Sequence, residues 1–185
     1  MSEKLSENFT LDELIYSDTA RAKGINNTPT ALHKKILKHT CQYMLEKLRA
    51  LLNEKYKEYK GKKVKQVILK VTSGYRGEKL NAAVGGANNS QHCCGEATDL
   101  EAQVVYTNGV RAVIPYNELY EDIKTWVKAK KMSVDQCIQE AARDRNTGAW
   151  YYWVHASHSN RGASCDRKQF LKFRNGMYSN DCVLK

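Results

Sequence analysis

Three side chains in two short segments have the types and spacing of a metal site. His92 and Asp99 lie seven residues apart, and His155 follows in the apolar segment 153–157. Two imidazoles and one carboxylate leave a fourth metal position open for water, which is how a catalytic zinc is held, whereas a structural zinc usually has four protein ligands. Other divalent metals can use the same donors. The sequence therefore predicts a metal site, with Zn2+ as the preferred ion.

A loop and two strands are expected to position these ligands. Gly95 lets the backbone turn closely before a strand predicted over 97–106, and Ala97 is small enough to leave space beside a metal. His155 lies within a strand predicted over 151–157, in which alternate residues face the same side. A rigid strand aims an imidazole better than a mobile loop does.

Helices are predicted ahead of most of the strands. A short helix begins at Thr10, and a long amphipathic helix is predicted with Thr28 as N-cap and Pro29 at its first position. His33 and His39 have no partner at ligand spacing and are interpreted as surface residues. The apolar stripe of the long helix recurs at three- and four-residue steps and comprises Leu32, Ile36, Leu37, Cys41, Met44, Leu45, Leu48 and Leu52.

The whole pattern predicts an α+β fold in which N-terminal helices pack on a mainly antiparallel sheet that carries the zinc site. With 185 residues, no internal repeat and no linker, the chain is expected to form one domain over residues 1–185. The remaining predictions are strands at 64–72, 110–114 and 134–140, helices at 78–83 and 117–130, and a last hairpin over 170–178.

Composition restricts the compartment. No apolar run approaches the roughly 20 residues of a membrane span, so no membrane segment is predicted. The N-terminus lacks a basic region followed by an apolar stretch, so we expect a protein that is cytoplasmic at synthesis or leaves the cell by another route. The six cysteines lack the spacing of a disulfide scaffold or a zinc cluster and are interpreted as mostly buried or free thiols, with a Cys165–Cys182 bridge as the alternative.

The net charge of +10 favours an acidic partner. Lysines crowd the segment 55–63, and such a surface suits nucleic acid, a membrane face or the anionic polymers of a bacterial cell wall. The simpler interpretation is a solvated helix end and loop. Because no nucleic-acid motif accompanies the charge, nucleic acid is ranked last among the partners.

A wider pattern surrounds the three ligands: Ser73-Gly74-Tyr75-Arg76, Gly85-Gly86, Ser90-x-His92-x-x-Gly95-x-Ala97-x-Asp99 and Trp153-Val154-His155-x-Ser157. It resembles the zinc D-Ala-D-Ala carboxypeptidase family, which also holds D-Ala-D-Ala dipeptidases and phage endolysins that cut the L-Ala-D-Glu bond of peptidoglycan. The segment 8–14 looks like the opening of a phage and bacterial branch. The resemblance runs from about Leu5 to about Phe173 and implies a fold like that of Hedgehog and the D-Ala-D-Ala peptidases.

The resemblance also implies roles for individual residues. Zinc would be held by His92, Asp99 and His155, and it would assist the attack of water on an amide. Arg76 would lie near the substrate, where its guanidinium fits a carboxylate or a developing oxyanion. Ser90 is a candidate for orienting substrate or a neighbouring ligand.

Two further residues are candidates for substrate binding. Ser157 shares the predicted strand face of the last ligand. His158 follows directly and would line the cleft, with a loop histidine of no special role as the alternative.

The sequence offers two candidates for the general base. Many members of the family carry an acid three residues before the last histidine, but Tyr152 stands there, and a phenol with a pKa of about 10 is a poor base. Glu140 ends a predicted strand that can pair with the histidine strand, so it is the preferred candidate. Asp144, in the loop 143–148, is the second candidate, and a surface role is the alternative for Glu140.

The resulting hypothesis is a zinc-dependent peptidase of peptidoglycan stem peptides, acting as a D-Ala-D-Ala carboxypeptidase or an L-Ala-D-Glu endopeptidase. The charge and the N-terminus favour a monomeric phage-type lysin that meets the anionic wall after release from the cell. A cytoplasmic D,D-dipeptidase is the nearest alternative. A zinc-binding structural or binding module with little or no turnover is the alternative from another class.

Overall fold

The computed structural model describes residues 2–144, 147–174 and 176–184. Its helices are α1 (Leu11–Ile15), α2 (Asp18–Ala22), α3 (Ala31–Thr40), α4 (Glu46–Lys55), α5 (Glu78–Ala83) and α6 (Tyr116–Lys128). Its strands are β1 (Glu58–Tyr59), β2 (Lys62–Ser73), β3 (Ala97–Tyr106), β4 (Arg111–Ile114), β5 (Gln136–Arg143), β6 (Trp150–Ser157), β7 (Gln169–Arg174) and β8 (Met177–Val183). Part of the loop predicted over 143–148 and residue 175 of the last turn lie outside the described residues.

One sheet organises the chain, in the order β1-β2-β3-β6-β5-β7-β8, with β4 paired to β3. Every pairing is antiparallel except that of β5 with β7. The predicted α+β class with a mainly antiparallel sheet is therefore confirmed. The helices are not confined to the N-terminal part, because α5 follows β2 and α6 follows β4.

The sheet has two unlike faces because side chains alternate along each strand. One face is apolar and forms a single core with helices α3, α4 and α6. The core side chains on this face include Val67, Leu69, Val71, Leu100, Ala102, Val154, Ala156, Cys137 and Phe170. The opposite face is left for the polar residues that alternate with them, and it carries the site.

The start of the long helix differs from the prediction. Thr30, rather than Thr28, is the N-cap, because its hydroxyl accepts the backbone N–H of His33 at 3.1 Å. Pro29 therefore precedes the helix, and Leu32 falls in the first turn, where it is 63% exposed and outside the apolar stripe. A π-helical segment, Cys41–Leu45, joins α3 to α4.

The cysteines agree with the reduced state expected from their spacing. All six are free thiols, so the alternative of a Cys165–Cys182 bridge is not formed. A search of the described part of the chain for a helix long and apolar enough to cross a membrane finds none.

Candidate functional site

The three predicted ligands meet at one point. Nε2 of His92 lies 3.1 Å from Nδ1 of His155 and 3.3 Å from Oδ1 of Asp99, and the last two atoms are 3.2 Å apart. Donors bound tetrahedrally to zinc at 2.0–2.1 Å are separated by about 3.3 Å, so the triangle has the size that zinc requires. All three residues are buried, and no other such group occurs among the described residues.

The sheet and one short turn fix this triangle. Asp99 on β3 pairs directly with His155 on β6, so their side chains share the face opposite the core. His92 lies in the 3₁₀ turn Gln91–Cys93. Its Nδ1 donates to the carbonyl of Gly74 at 2.7 Å, which leaves the lone pair of Nε2 for a metal.

The carboxylate ligand stays ionised. Burial alone would raise the pKa of Asp99, but the charges and hydrogen bonds of His92 and His155 outweigh it and hold that pKa well below its usual range. A negative carboxylate beside two imidazoles is the donor set that suits zinc.

Helix α3 supports the turn that carries His92. The backbone at Gly95 has φ +89°, and a Cβ there would lie 3.0 Å from the Leu37 side chain and 3.1 Å from the His33 carbonyl. The hydroxyl of Thr40 also donates to the Gly95 carbonyl at 2.8 Å. Gly95 thus provides the close backbone turn expected of it, and it does so against the helix.

Arg76 lies at the edge of the ligand triangle. Its Nη1 is 3.7 Å from Oδ2 of Asp99, and its backbone N–H donates to the His92 carbonyl. Its Nε is buried without a hydrogen-bond partner among the described residues. The guanidinium therefore keeps donors for an incoming oxygen.

Glu140 lies beside the triangle on the same face. Strand β5 pairs with β6 so that Ile138 is opposite His155 and Glu140 is opposite Trp153. Burial raises the pKa of Glu140 to about 7, with His155 opposing and Asp99 adding to the shift. A carboxyl with a pKa near neutrality beside a metal triad is suited to proton transfer.

The other two positions considered for the base lie elsewhere. Tyr152 pairs with Ala141 and therefore faces the opposite side of the sheet, where its ring stacks on Tyr116 at 4.6 Å. Asp144 follows the end of β5, and its carboxylate accepts hydrogen bonds from the N–H and the hydroxyl of Thr147. Neither residue shares the place of Glu140 beside the triangle.

Two predicted substrate contacts, Ser157 and His158, are buried and already have hydrogen-bond partners. Ser157 is fully buried, and its hydroxyl accepts the N–H of Gln136 at 3.0 Å. His158 is 2% exposed, its Nδ1 is bonded to Asp166 at 2.8 Å, and its ring stacks on His39. Their contact with substrate stays a prediction.

The remaining predictions for polar residues have mixed outcomes. Ser90 is half-buried just before the ligand turn, and its hydroxyl has no partner among the described residues, so it is available at the site. His33 and His39 were expected at the surface, but both are half-buried. His33 contacts the hydroxyl of Tyr75 at 3.0 Å, and His39 stacks on His158, so both rings pack against other side chains.

Sequence reasoning missed the residues on the far side of Glu140. Glu140 is adjacent to Phe173 on β7, which is opposite Tyr178 on β8, so Trp153, Glu140, Phe173 and Tyr178 form one row across the metal face. Burial, Glu140 and Asp99 raise the pKa of the Tyr178 phenol. No signal in the sequence points to Tyr178, because its place depends on the parallel pairing of β5 with β7.

Comparison with known proteins agrees with this site. A family model described as Peptidase M15 matches residues 7–122, and the chain belongs to this family of zinc peptidases, which are D-Ala-D-Ala carboxypeptidase-like. The matched part includes Arg76, His92 and Asp99, while His155 and Glu140 lie beyond it and are joined to it by the sheet. A search of curated proteins finds no match. The family indicates a metallopeptidase that acts on peptidoglycan peptides.

Proposed function

We propose that this protein is a zinc-dependent peptidase that hydrolyses an amide bond in peptidoglycan stem peptides, of the D-Ala-D-Ala carboxypeptidase or L-Ala-D-Glu endopeptidase type. The observation that carries the proposal is the triangle of ligand atoms with Glu140 beside it on one face of the sheet. His92, Asp99 and His155 would hold the zinc ion, which would supply Lewis-acid polarisation of the carbonyl and lower the pKa of water.

Glu140 is assigned the proton transfers. Its carboxylate accepts a proton from the attacking water and returns it to the leaving amine, as a general base and then a general acid. A neighbouring divalent cation favours the ionised carboxylate, so the pKa of about 7 falls when the metal is present and the base is available at neutral pH.

We assign substrate binding to Arg76 and to the row of side chains beside Glu140. The free donors of the Arg76 guanidinium bind a substrate carboxylate or the scissile carbonyl oxygen. On the other side, Trp153 has an indole N–H that is buried without a described partner, and Tyr178 offers a phenol. These groups are suited to holding the two ends of a short peptide across the metal face.

The biological setting that we propose is that of a phage-type cell-wall lysin. The net charge of +10 would draw the protein to the anionic polymers of the wall. We expect a monomer that is cytoplasmic at synthesis and acts after its release from the cell.

Digestion of purified peptidoglycan tests the proposed activity. We expect the zinc-loaded protein to release fragments whose masses identify the bond cut, and EDTA or His92→Ala to abolish their release. Zinc bound at one ion per chain without any fragments would refute the peptidase and support a zinc-binding module with little or no turnover.

A further inference from the structure

A cavity lies away from the metal site, between the long helix, the end of α6 and the segment before β7. Its volume is about 550 Å³, which is within the size range of ligand sites. It is lined by Gln42, Tyr43, Lys47, Val127, Lys130, Lys131, Met132, Ser133, Ala163, Ser164 and Lys168. None of these residues belongs to the zinc site or to the row beside Glu140.

The charge of this cavity is entirely positive. Four lysines line it, and its described lining contains no aspartate or glutamate. Some lysines elsewhere in the protein are paired, as Lys34 is with Glu3 and Lys124 is with Asp181. The four in the cavity make no ion pair with any described residue. A concave surface with like charges and no counter-charge concentrates anions.

The backbone of the cavity shows an independent irregularity. Apart from glycines, the described residues with left-handed backbone are Lys60, Lys130 and Lys168, and the last two belong to this cavity. A side chain in that region is uncommon and costs of order 1 kcal/mol, and such residues concentrate at functional sites. Two lysines thus occupy left-handed turn positions that glycine would adopt more easily.

The polar residues of the lining fit phosphate. The cavity offers hydroxyl groups from Ser133 and Ser164 beside the ammonium groups, and the Ser133 hydroxyl is buried without a described partner. Lysine ammonium groups are compact point charges on flexible stems, which suits the phosphate groups of a flexible polymer.

We propose that this cavity binds the phosphate groups of a phosphodiester polymer of the bacterial cell wall. The choice of a wall polymer rests on the proposed function, whereas the affinity for phosphate rests on the cavity alone. Nucleic acid is the less suitable occupant, because single strands are held by several stacking aromatics. The cavity lining has one aromatic ring, Tyr43, which already contacts His39 in a tilted arrangement with the ring centroids 4.5 Å apart.

Two variants of equal charge test the site. One replaces three cavity lysines, K47Q/K130Q/K131Q, and the other replaces three exposed lysines elsewhere, K23Q/K35Q/K65Q. The probe is fluorescent poly(glycerol phosphate), titrated at several salt concentrations against each protein in the His92→Ala background, so that binding is measured without turnover. Circular dichroism and urea unfolding of each triple report whether it is folded, and digestion of peptidoglycan by the protein with His92 intact is measured separately.

We expect the cavity variant to bind the polymer at least about tenfold more weakly, with a shallower dependence on salt, because fewer counterions are released. The control triple should change the affinity less than about threefold. Equal weakening of both triples would overturn the site. Tighter binding of single-stranded DNA of matched charge than of poly(glycerol phosphate) would overturn the occupant. Selective weakening of polymer binding in the cavity triple, together with no digestion of peptidoglycan by the folded protein with His92 intact, would support the site and refute the proposed activity.

Discussion

Glu140 and two of the metal ligands, Asp99 and His155, are held to one another by backbone pairing of the strands that carry them. Asp99, His155 and Ile138 are consecutive partners across β3, β6 and β5, and Glu140 lies two residues beyond Ile138. A residue on an inner strand has few ways to move, so the carboxylate is preorganised toward the metal face. The same geometry makes Glu140 costly to ionise when no cation is bound.

Stability of the metal-free protein should therefore depend on pH through Glu140. The folded state holds this proton up to a pKa of about 7, whereas the unfolded state releases it near 4.5, so stability falls as pH rises between these values. We expect the difference in unfolding free energy between wild type and Glu140→Gln to fall by about 2–3 kcal/mol across this window. Urea unfolding with EDTA at several pH values measures it. A difference that does not change with pH would show that Glu140 is freely solvated.

Arg76 should contribute through the shape of its guanidinium as well as through its charge. Arg76→Lys keeps the charge but loses the fork that binds two oxygens at once, so we expect kcat/KM on peptidoglycan fragments to fall by about 10- to 100-fold. Arg111→Lys, exposed on β4, is the matched control and should retain activity. If both variants were equally active, Arg76 would have no part in substrate binding.

At the scale of elements, the turn that carries His92 depends on its contact with helix α3. The contact leaves little room for a side chain at Gly95, because an added Cβ would lie 3.0–3.3 Å from Leu37 and the backbone of the helix. The position of His92 is thus coupled to the stability of the long helix. The sequence alone gives no sign of this coupling.

Replacing Gly95 separates two causes of lost stability, the strain of a side chain at positive φ and the close contact with α3. Gly95→Ala should destabilise the fold by at least about 1 kcal/mol more than Gly109→Ala and should weaken zinc binding. Gly109 is the control because it has a similar positive φ, +83°, with no atom within 4 Å of an added Cβ, so it reports the backbone cost alone. Urea unfolding and zinc titration measure both effects. Equal losses of stability in the two variants would show that α3 accommodates the added methyl group without a further loss of stability.

The elements themselves were largely predictable, since periodicity and turn residues reflect local physics. The helix predicted over 78–83 and the strand over 97–106 have the bounds observed, and the strand with Glu140 pairs with the histidine strand as expected. The N-cap was misplaced because Thr28 and Thr30 are both suitable caps, and only the reach to the His33 amide decides between them. Helix α2, capped by Ser17, was not predicted.

At the scale of the whole molecule, strand order was the information that the sequence lacked. Ser157 and His158 were predicted to contact substrate from their positions in the chain, but the sequence did not indicate their burial or their bonds to Gln136 and Asp166. Tyr178 could not be anticipated, because the crossover that sets β7 parallel to β5 leaves no local pattern. Long-range pairing of this kind is decided by packing of the sheet as a whole.

The central claim is that the metal face of the sheet is a catalytic site in which Glu140 moves the proton. The most direct measurement compares Glu140→Gln with Glu101→Gln, a carboxylate on β3 paired with Lys70, for zinc content and for release of fragments from peptidoglycan. We expect both variants to bind one zinc ion per chain, with turnover reduced at least about 100-fold in Glu140→Gln and unchanged in Glu101→Gln. Full turnover by Glu140→Gln with zinc bound would contradict the account.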